Sequence, residues 1–470
     1  MSCFICGSKD VAVILDLGRQ PPSDAFLRKD DLEKPEAAYP LEFCLCRNCK
    51  LAQLNYVVDP EKLFRDYVYN TATNNALKSN FKNLVDLLVD RFNLKKDDLP
   101  KPEATYPLEF CLCRNCKLAQ LNYVVDPEKL FRDYVYNTAT NNALKSNFKN
   151  LVDLLVDRFN LKKDDFAVDV GSNDGTLLSY YLPHGIKVLG IDPSSSTSLA
   201  LAQNIPTIVD FFSRDLAKKV CAEHGQAKAI TATNVFAHVD KLNDFMSGIK
   251  ELLALKGVFV SENGYVLDLI EKLQWDSIYH EHLRYYSIKP LTILFGKFDM
   301  EVFDIERIPS HGGSIRVFAS RKGDYEVQSS VKDLLELEER SGLYEEATFV
   351  RFADRARGNK AEIQKLVLEQ KNSGKRIAGI GAPAKGNTLL NFCRLGPNEI
   401  DYLAEKSELK IGLFSPGMHI PVLDEAKLFE AQPEYALLLS WNLADELISK
   451  IRAKGYKGRF IIPNPEVAVI

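Results

Sequence analysis

Membrane-length apolar segments are missing from this sequence: no run approaches the 18 or so residues that a bilayer span needs. Excess positive charge is missing too. With 60 Lys and Arg against 64 Asp and Glu in 470 residues, the formal net charge is -4. That balance argues against a protein that holds nucleic acid by neutralising phosphates. The start, Met1-Ser-Cys-Phe-Ile-Cys-Gly, has no basic segment followed by an apolar one, so no signal peptide is expected. A hydrophobic share of 46% and a charged share of 26% fit a soluble globular protein, and the length fits about three domains. The expected compartment is the cytoplasm, where the ten cysteines would stay reduced and favour metal over disulfides.

What is present is a copy. Residues 34–98 reappear as 101–165 with one change, Ala38 against Thr105, and the flanking Lys-Asp-Asp-Leu occurs at Lys29 and again at Lys96. Two units cannot form a solenoid, which needs about three to close a core. Such near-identity points to a recent tandem duplication or an artefact of the gene sequence, with one copy functionally redundant.

The repeat carries cysteines. Cys3-x2-Cys6 precedes Cys46-x2-Cys49 in the first copy and Cys113-x2-Cys116 in the second. Two such pairs supply the four thiolates of a closed tetrahedral zinc site, which is structural because no position is left open. Gly7 suits the tight turn after the first pair. Only one N-terminal pair exists, so one zinc per chain is expected and one pair is surplus. A redox dithiol is the lesser alternative. Cys44 and Cys111 read as buried thiols, and Cys221 and Cys393 as packing residues.

Beyond the second copy the pattern becomes α/β. Phe166-Ala-Val-Asp-Val-Gly-Ser-Asn-Asp-Gly-Thr reads as a buried strand, a glycine turn and a helix start. Gly171 and Gly175 let backbone approach a ligand, and Asp169 and Asp174 suit a cationic amino-acid portion. Asp192 ends a second strand, Lys187–Asp192, where an acid holds ribose hydroxyls. Further strands are expected at Ile205–Asp210, Lys228–Asn234, Gly257–Asn263, Met300–Ile308 and Ser314–Arg321, giving a mostly parallel, doubly wound sheet. The turn is GSNDG rather than GxGxxG, which favours S-adenosylmethionine (SAM) over a nicotinamide cofactor. The candidate cofactor-binding set is Asp169, Gly171, Asn173, Asp174, Gly175, Asp192 and Asn234.

With the CxxC pairs and Asp169–Gly175, several more motifs make the chain resemble the nucleotide-sugar C-methyltransferases. They are Asn-Val-Phe-Ala-His at Asn234–His238, Tyr-His-Glu-His at Tyr279–His282 and His-Gly-Gly-Ser-Ile-Arg at His311–Arg316. Gly379–Gly386, Pro416–Pro421 and Trp441-Asn442 complete the series. The resemblance implies a zinc-binding domain (1–142, containing the 67-residue duplication), a SAM-binding Rossmann-like domain (143–325) and a C-terminal Rossmann-like domain (326–470). It also implies methylation of a carbon next to the keto group of a nucleotide-linked 4-keto-6-deoxysugar, through an enolate.

The same resemblance makes His282 the base. Glu281 would orient or polarise an imidazole, and Tyr279 and His238 would bind the keto sugar or stabilise the enolate. In an extended segment, however, His280 and His282 share a face while Glu281 points away. Tyr134 and Tyr136, copied as Tyr67 and Tyr69, would close over SAM and substrate. Ser310–Arg316 offers donors for a diphosphate or sugar hydroxyl, with a turn that merely needs glycine as its alternative. In the C-terminal third, charged helices link two sheets, and Lys385 stands in a glycine-rich turn suited to phosphate. Glu405 replaces the aspartate usual in the family. Two other functions stay open from sequence: an O- or N-methyltransferase, and a non-catalytic zinc-ribbon interaction protein. No oligomeric state is specified.

Overall fold

Leu41, Phe43 and Leu45 alternate along one strand and all three side chains are buried. They lie in Tyr39–Cys46 (β2), which pairs antiparallel with Val11–Gln20 (β1) and with Ala52–Leu54 (β3). From the second copy, Ala119–Gln120 (β4) joins the same sheet. The structure is a computed structural model and describes residues 3, 6–22, 27, 29–32, 34–49, 51–56, 110, 112–113, 116–121 and 142–470.

The helix Asn142–Arg158 opens the central unit. Its Leu144, Phe148, Leu151, Val152 and Leu155 recur at helical spacing and pack on Val188, Val258, Phe303 and Phe318. Arg158 in the last turn meets Asp304 at 2.5 Å. Phe166–Val170 (β5) follows, buried along its whole length as expected of a central parallel strand. Lys187–Ile191 (β6), Thr207–Ile208 (β7), Ala227–Thr233 (β8) and Leu253–Gly264 (β9) extend the sheet. The strand expected over 205–210 shrinks to two residues.

Arg284–Tyr285 (β10) leaves this unit and inserts between β3 and β4, giving the order β1-β2-β3-β10-β4 in the N-terminal sheet. Met300–Ile308 (β11) and Ser314–Arg321 (β12) return to the central sheet, whose order is β11-β12-β9-β8-β5-β6-β7. From β9 to β7 the neighbours are parallel, and β11 and β12 are antiparallel additions. The chain winds outward both ways from β5, so a topological switch point lies between β5 and β8. Open α/β sheets bind ligands outside the strand ends at such a point.

The helices Ser329–Arg340 and Glu346–Asn372 lead to the third sheet. Its strands are Ile377–Ile380 (β13), Leu403–Glu405 (β14), Val422–Asp424 (β15), Tyr435–Leu438 (β16), Arg459–Ile462 (β17) and Ala468–Val469 (β18). The order is β15-β14-β13-β16-β17-β18, parallel except at β18. Asn359 on the long helix ties the units together: it accepts from Trp275 Nε1 at 2.9 Å and donates to the Pro463 carbonyl at 2.7 Å. Among the described residues no helix is long and apolar enough to cross a membrane.

Arg316 does not take the ligand-binding role open to it in the sequence. It stands directly opposite Glu262 on β9 and Glu306 on β11 in the strand register. Its guanidinium reaches Glu262 at 3.2 Å, Glu306 at 3.0 Å and the Asn147 side-chain oxygen at 2.8 Å. Asn147 donates in turn to Glu262 at 2.8 Å, so the second copy's helix is bonded into the buried charge cluster. Next to it, a Cβ on Gly313 would meet Asp268, and Gln274 and Lys272 bond the Gly312 carbonyl. The glycines are needed for the turn. Arg316→Ala would leave Glu262 buried without its partner, so chemical denaturation should show a loss of about 3–5 kcal/mol; a change near zero would mean the guanidinium is not committed to this cluster.

Candidate functional site

Covalent spacing makes the cysteine knuckles. The Gly7 N–H donates to the Cys3 carbonyl at 2.8 Å, and the Lys117 N–H donates to the Cys113 carbonyl at 3.0 Å. Gly7 and Lys117 both have positive φ, so the two turns share one form. Cys3, Cys6, Cys46, Cys49 and Cys113 bring their sulfurs within 4.8 Å of one another. Sulfurs around a tetrahedral zinc at 2.3 Å stand about 3.8 Å apart, so a metal ion fits the cluster. Cys116 is buried beside it but is not one of the five. Cys44 and Cys393 are buried, Cys221 is partly so, and Cys111 lies outside the described residues.

At the switch point the glycine turn is shaped for close approach. Gly171 and Gly175 both have φ of +77°, and a Cβ on Gly171 would run into Val235. Asn173 and Asn234 also adopt positive φ, which asparagine tolerates well. The Asp192 carboxylate accepts the Asn173 N–H at 2.9 Å and the Ser194 N–H at 2.7 Å. Asp174 accepts from the Thr176 hydroxyl at 2.6 Å and so stiffens the helix start. Asp169 is buried and bonded by the Thr231 hydroxyl at 2.6 Å. Burial pushes its carboxyl up to about 7, against the Thr231 bond and with a further push from Asp192. A cationic ligand would relieve that cost. The crevice therefore combines a turn open to backbone approach with two buried carboxylates, Asp169 and Asp192.

The histidines lie beside this crevice. β8 runs into the short helical turn Phe236–His238, and the Leu283 N–H bonds the Ala237 carbonyl at 3.0 Å. This draws His282 to His238, with ring centroids 5.1 Å apart. His282 Nδ1 sits 2.9 Å from the Ser277 carbonyl, which can only accept, so Nδ1 carries the proton. Nε2 then keeps its lone pair and faces the Tyr279 hydroxyl at 3.0 Å. Burial pushes the His282 imidazole down to about 4 and that of His238 down to about 3. Both rings are neutral at pH 7.

Glu281 is not the Nδ1 partner of His282: that role falls to the Ser277 carbonyl, and Glu281 bonds His238 through its backbone. His280 turns away and meets Tyr39 edge-on at 6.1 Å. Tyr134 and Tyr136, like Tyr67 and Tyr69, lie outside the described residues.

The third sheet closes on the same turn. Trp441 Nε1 donates to Asp276 at 2.6 Å, and Lys385 lies over the Trp441 ring and bonds Asn442. In its glycine turn the Ala382 N–H is taken by Glu405 at 2.7 Å, so the longer acid is a backbone tie. Sequence reasoning missed Ser277, whose contribution is a carbonyl that every residue has. It also missed Asn263, a buried amide at the end of β9 with neither polar atom bonded among the described residues.

Three family models match the chain in tandem: a zinc binding domain over residues 3–64 and 77–131, a methyltransferase domain over 144–305, and a C-methyltransferase C-terminal domain over 309–465. The C-methyltransferase NovU of Streptomyces niveus is 36% identical over 371 residues, covering 78% of this chain and 88% of that protein. Among solved structures, a SAM-dependent methyltransferase from Clostridium acetobutylicum is 14% identical, covers 38% of this chain and 92% of its own, and has a TM-score of 0.31. One from Anabaena variabilis is 18% identical, covers 38% and 86%, and has a TM-score of 0.29. These two likenesses are too partial to carry weight.

The His282 geometry can be checked directly. Nitrogen-resolved NMR of the imidazole should find a neutral ring protonated at Nδ1, with a midpoint near 4. Because the folded value lies below the ordinary one, charging should appear only well under pH 6. A midpoint near 6.5 would mean that the ring sits in solvent.

Proposed function

The chain belongs to the C-methyltransferase family and is a SAM-dependent methyltransferase, and from that premise we propose its acceptor: the carbon next to the keto group of a nucleotide-linked 4-keto-6-deoxysugar. The inert zinc-ribbon alternative falls with the family match. The observation that carries the proposal is the bond from His282 Nδ1 to the Ser277 carbonyl, because it leaves Nε2 as an oriented lone pair.

In this reading Asp169, Gly171, Asn173, Asp174, Gly175, Asp192 and Asn234 form the SAM crevice. Asp169 meets the cationic end, Asp192 the ribose, and the glycines admit the backbone. Bound SAM supplies an electrophilic methyl group on a positively charged sulfur. His282 Nε2 takes the proton from the carbon beside the carbonyl, and the electron pair moves to the carbonyl oxygen as an enolate. A base held near 4 is weak for this task, but negative charge developing beside it favours the imidazolium and raises its basicity as the proton moves.

The Tyr279 hydroxyl, which donates to His282 Nε2 at rest, turns its proton to the enolate oxygen once Nε2 is protonated, and His238, held by the Glu281 backbone, binds the sugar from the other side. The carbon then takes the methyl while the sulfur keeps its electron pair. Tyr134 and Tyr136 cover the site. Cys3, Cys6 and one CxxC pair hold a structural zinc, one per chain, within residues 1–142; residues 143–325 and 326–470 bind SAM and enclose the nucleotide sugar.

The test combines purified protein, SAM and a thymidine-diphosphate 4-keto-6-deoxysugar in deuterated water, read by mass spectrometry. A methyl on carbon is expected, with enzyme-dependent deuterium uptake at the carbon beside the carbonyl. His282→Ala should lower turnover by about 10²–10⁴-fold while leaving SAM affinity within about twofold. Methylation on oxygen or nitrogen, without deuterium uptake, would overturn the enolate reading. Equal loss of SAM binding and turnover would make His282 structural.

A further inference from the structure

Glu338 lies on the helix Ser329–Arg340 with no exposure to solvent. Its Oε1 accepts the Tyr265 hydroxyl at 2.8 Å and the Ile288 N–H at 2.9 Å. Its Oε2 stands 3.1 Å from the same N–H and accepts the Tyr344 hydroxyl. Lys289 adds a further backbone bond. A carboxylate has about four acceptor sites, and these donors fill them. Burial pushes the carboxyl up to about 7, while the bonds from Tyr344, Ile288 and Tyr265 act the other way. An apolar side chain of similar volume would fill the same space without that cost. The acid therefore serves geometry rather than packing.

The donors lead to the histidines. Tyr265 follows β9 and pairs with Tyr286, whose carbonyl takes the Val266 N–H at 3.0 Å. Ile288 opens the helix Ile288–Gly296, six residues after His282. Between them, Tyr286 donates its hydroxyl to the Phe236 carbonyl at 3.2 Å and stacks on the Phe236 ring with centroids 5.0 Å apart. Phe236 begins the turn that ends at His238. Residues 286–288 thus form a short crossing that closes the His282 segment and touches the start of the His238 turn, and Glu338 grips it through Tyr265 and Ile288. Tyr344 differs: it belongs to the turn before the helix Glu346–Asn372, outside that crossing.

Resting on the enolate reading of His282, we propose that Glu338 is a positioning residue for both histidines. By holding the Tyr265 hydroxyl and the Ile288 N–H it fixes Tyr286. Tyr286 in turn fixes how the His238 turn approaches the His282 segment, where the two rings stand 5.1 Å apart. The carboxylate acts at a remove, through the backbone rather than on the substrate. A shift of about 1 Å at a reacting group can cost about 10²-fold in rate, so a buried acid at this distance governs turnover through geometry.

Glu338→Gln tests this in the full chain, because it keeps the shape but turns one acceptor oxygen into a donor facing hydroxyl and N–H donors. Measurements at about pH 8 keep wild-type Glu338 ionised. In nitrogen-resolved NMR the ring signals of His282 and His238 should move. The kcat should fall by about 10–10²-fold, with SAM affinity within about twofold of wild type. Tyr265→Phe keeps the ring under Arg307 and should act the same way more weakly, by about tenfold or less. Tyr344→Phe keeps the ring beside Lys289 and should leave the histidine signals and kcat near wild type. Unmoved signals and full kcat in Glu338→Gln, whatever its melting temperature, would overturn the proposal. So would activity lost from all three variants in step with stability. If Glu338→Gln fails to fold, Tyr265→Phe decides, and unmoved signals there overturn it. Wild type that methylates oxygen or nitrogen would end the enolate reading alone, because the ring signals test the positioning without turnover.

Discussion

Two residues hold this molecule together in a way their number hides. Arg284–Tyr285 belongs to the cofactor unit by sequence and to the cysteine-rich sheet by hydrogen bonding. It starts two residues after His282. The Leu283 backbone bonds Ala237 on one side and Leu121 on the other, at 3.0 and 2.7 Å. The buried Arg284 guanidinium reaches the Val239 and Asp240 carbonyls just beyond His238. The paired histidines are therefore set by a strand whose partners lie in the cysteine-rich unit. A metal that orders that sheet would act on the histidine segment through backbone geometry. This gives a structural zinc a mechanical reason to be attached to a methyltransferase.

Burial then decides what the positioned groups can do. Around His282 and His238 desolvation is the largest influence and keeps both rings neutral. At Asp169 the same influence works on a group of opposite charge and holds a carboxyl near neutrality. The crevice thus disfavours charge of either sign until ligands arrive. In the proposed reaction an arriving cation would stabilise the Asp169 carboxylate, and a developing enolate would stabilise the His282 imidazolium. Each group becomes charged in company, which is how a dry site makes its electrostatics serve the reaction rather than the resting state.

How far the sequence reveals this depends on the range of the interaction. The CxxC turns, the glycine turn and the strand at Phe166–Val170 are legible because covalent spacing and local periodicity fix them. The sequence shows Arg316 next to two glycines and a serine, and that company looks like a ligand site. Its actual partners, Glu262 and Glu306, are set by strand register 54 and 10 residues away. Glu281 is adjacent to His282, yet the segment expected to be extended folds into a turn closed by the His282 N–H on the Tyr279 carbonyl, and a carbonyl five residues back takes the place of the acid. Glu405 similarly looks like a departure from a ligand contact but serves the Ala382 backbone. Side-chain chemistry can be read from residue type; the partner that uses it up cannot.

The duplication follows the same logic at a larger scale. A repeat adds function only where the fold offers a second place for it, and the sequence holds one pair of N-terminal thiols for two CxxC pairs. Tetrahedral coordination sets that limit, because four thiolates close a zinc site. What distinguishes the copies is the rear half, where Asn147 and the apolar face from Leu144 to Leu155 are built into the cofactor unit. The rear half of the second copy is therefore part of the cofactor unit, while the front half repeats a CxxC pair that a single four-thiolate site does not need.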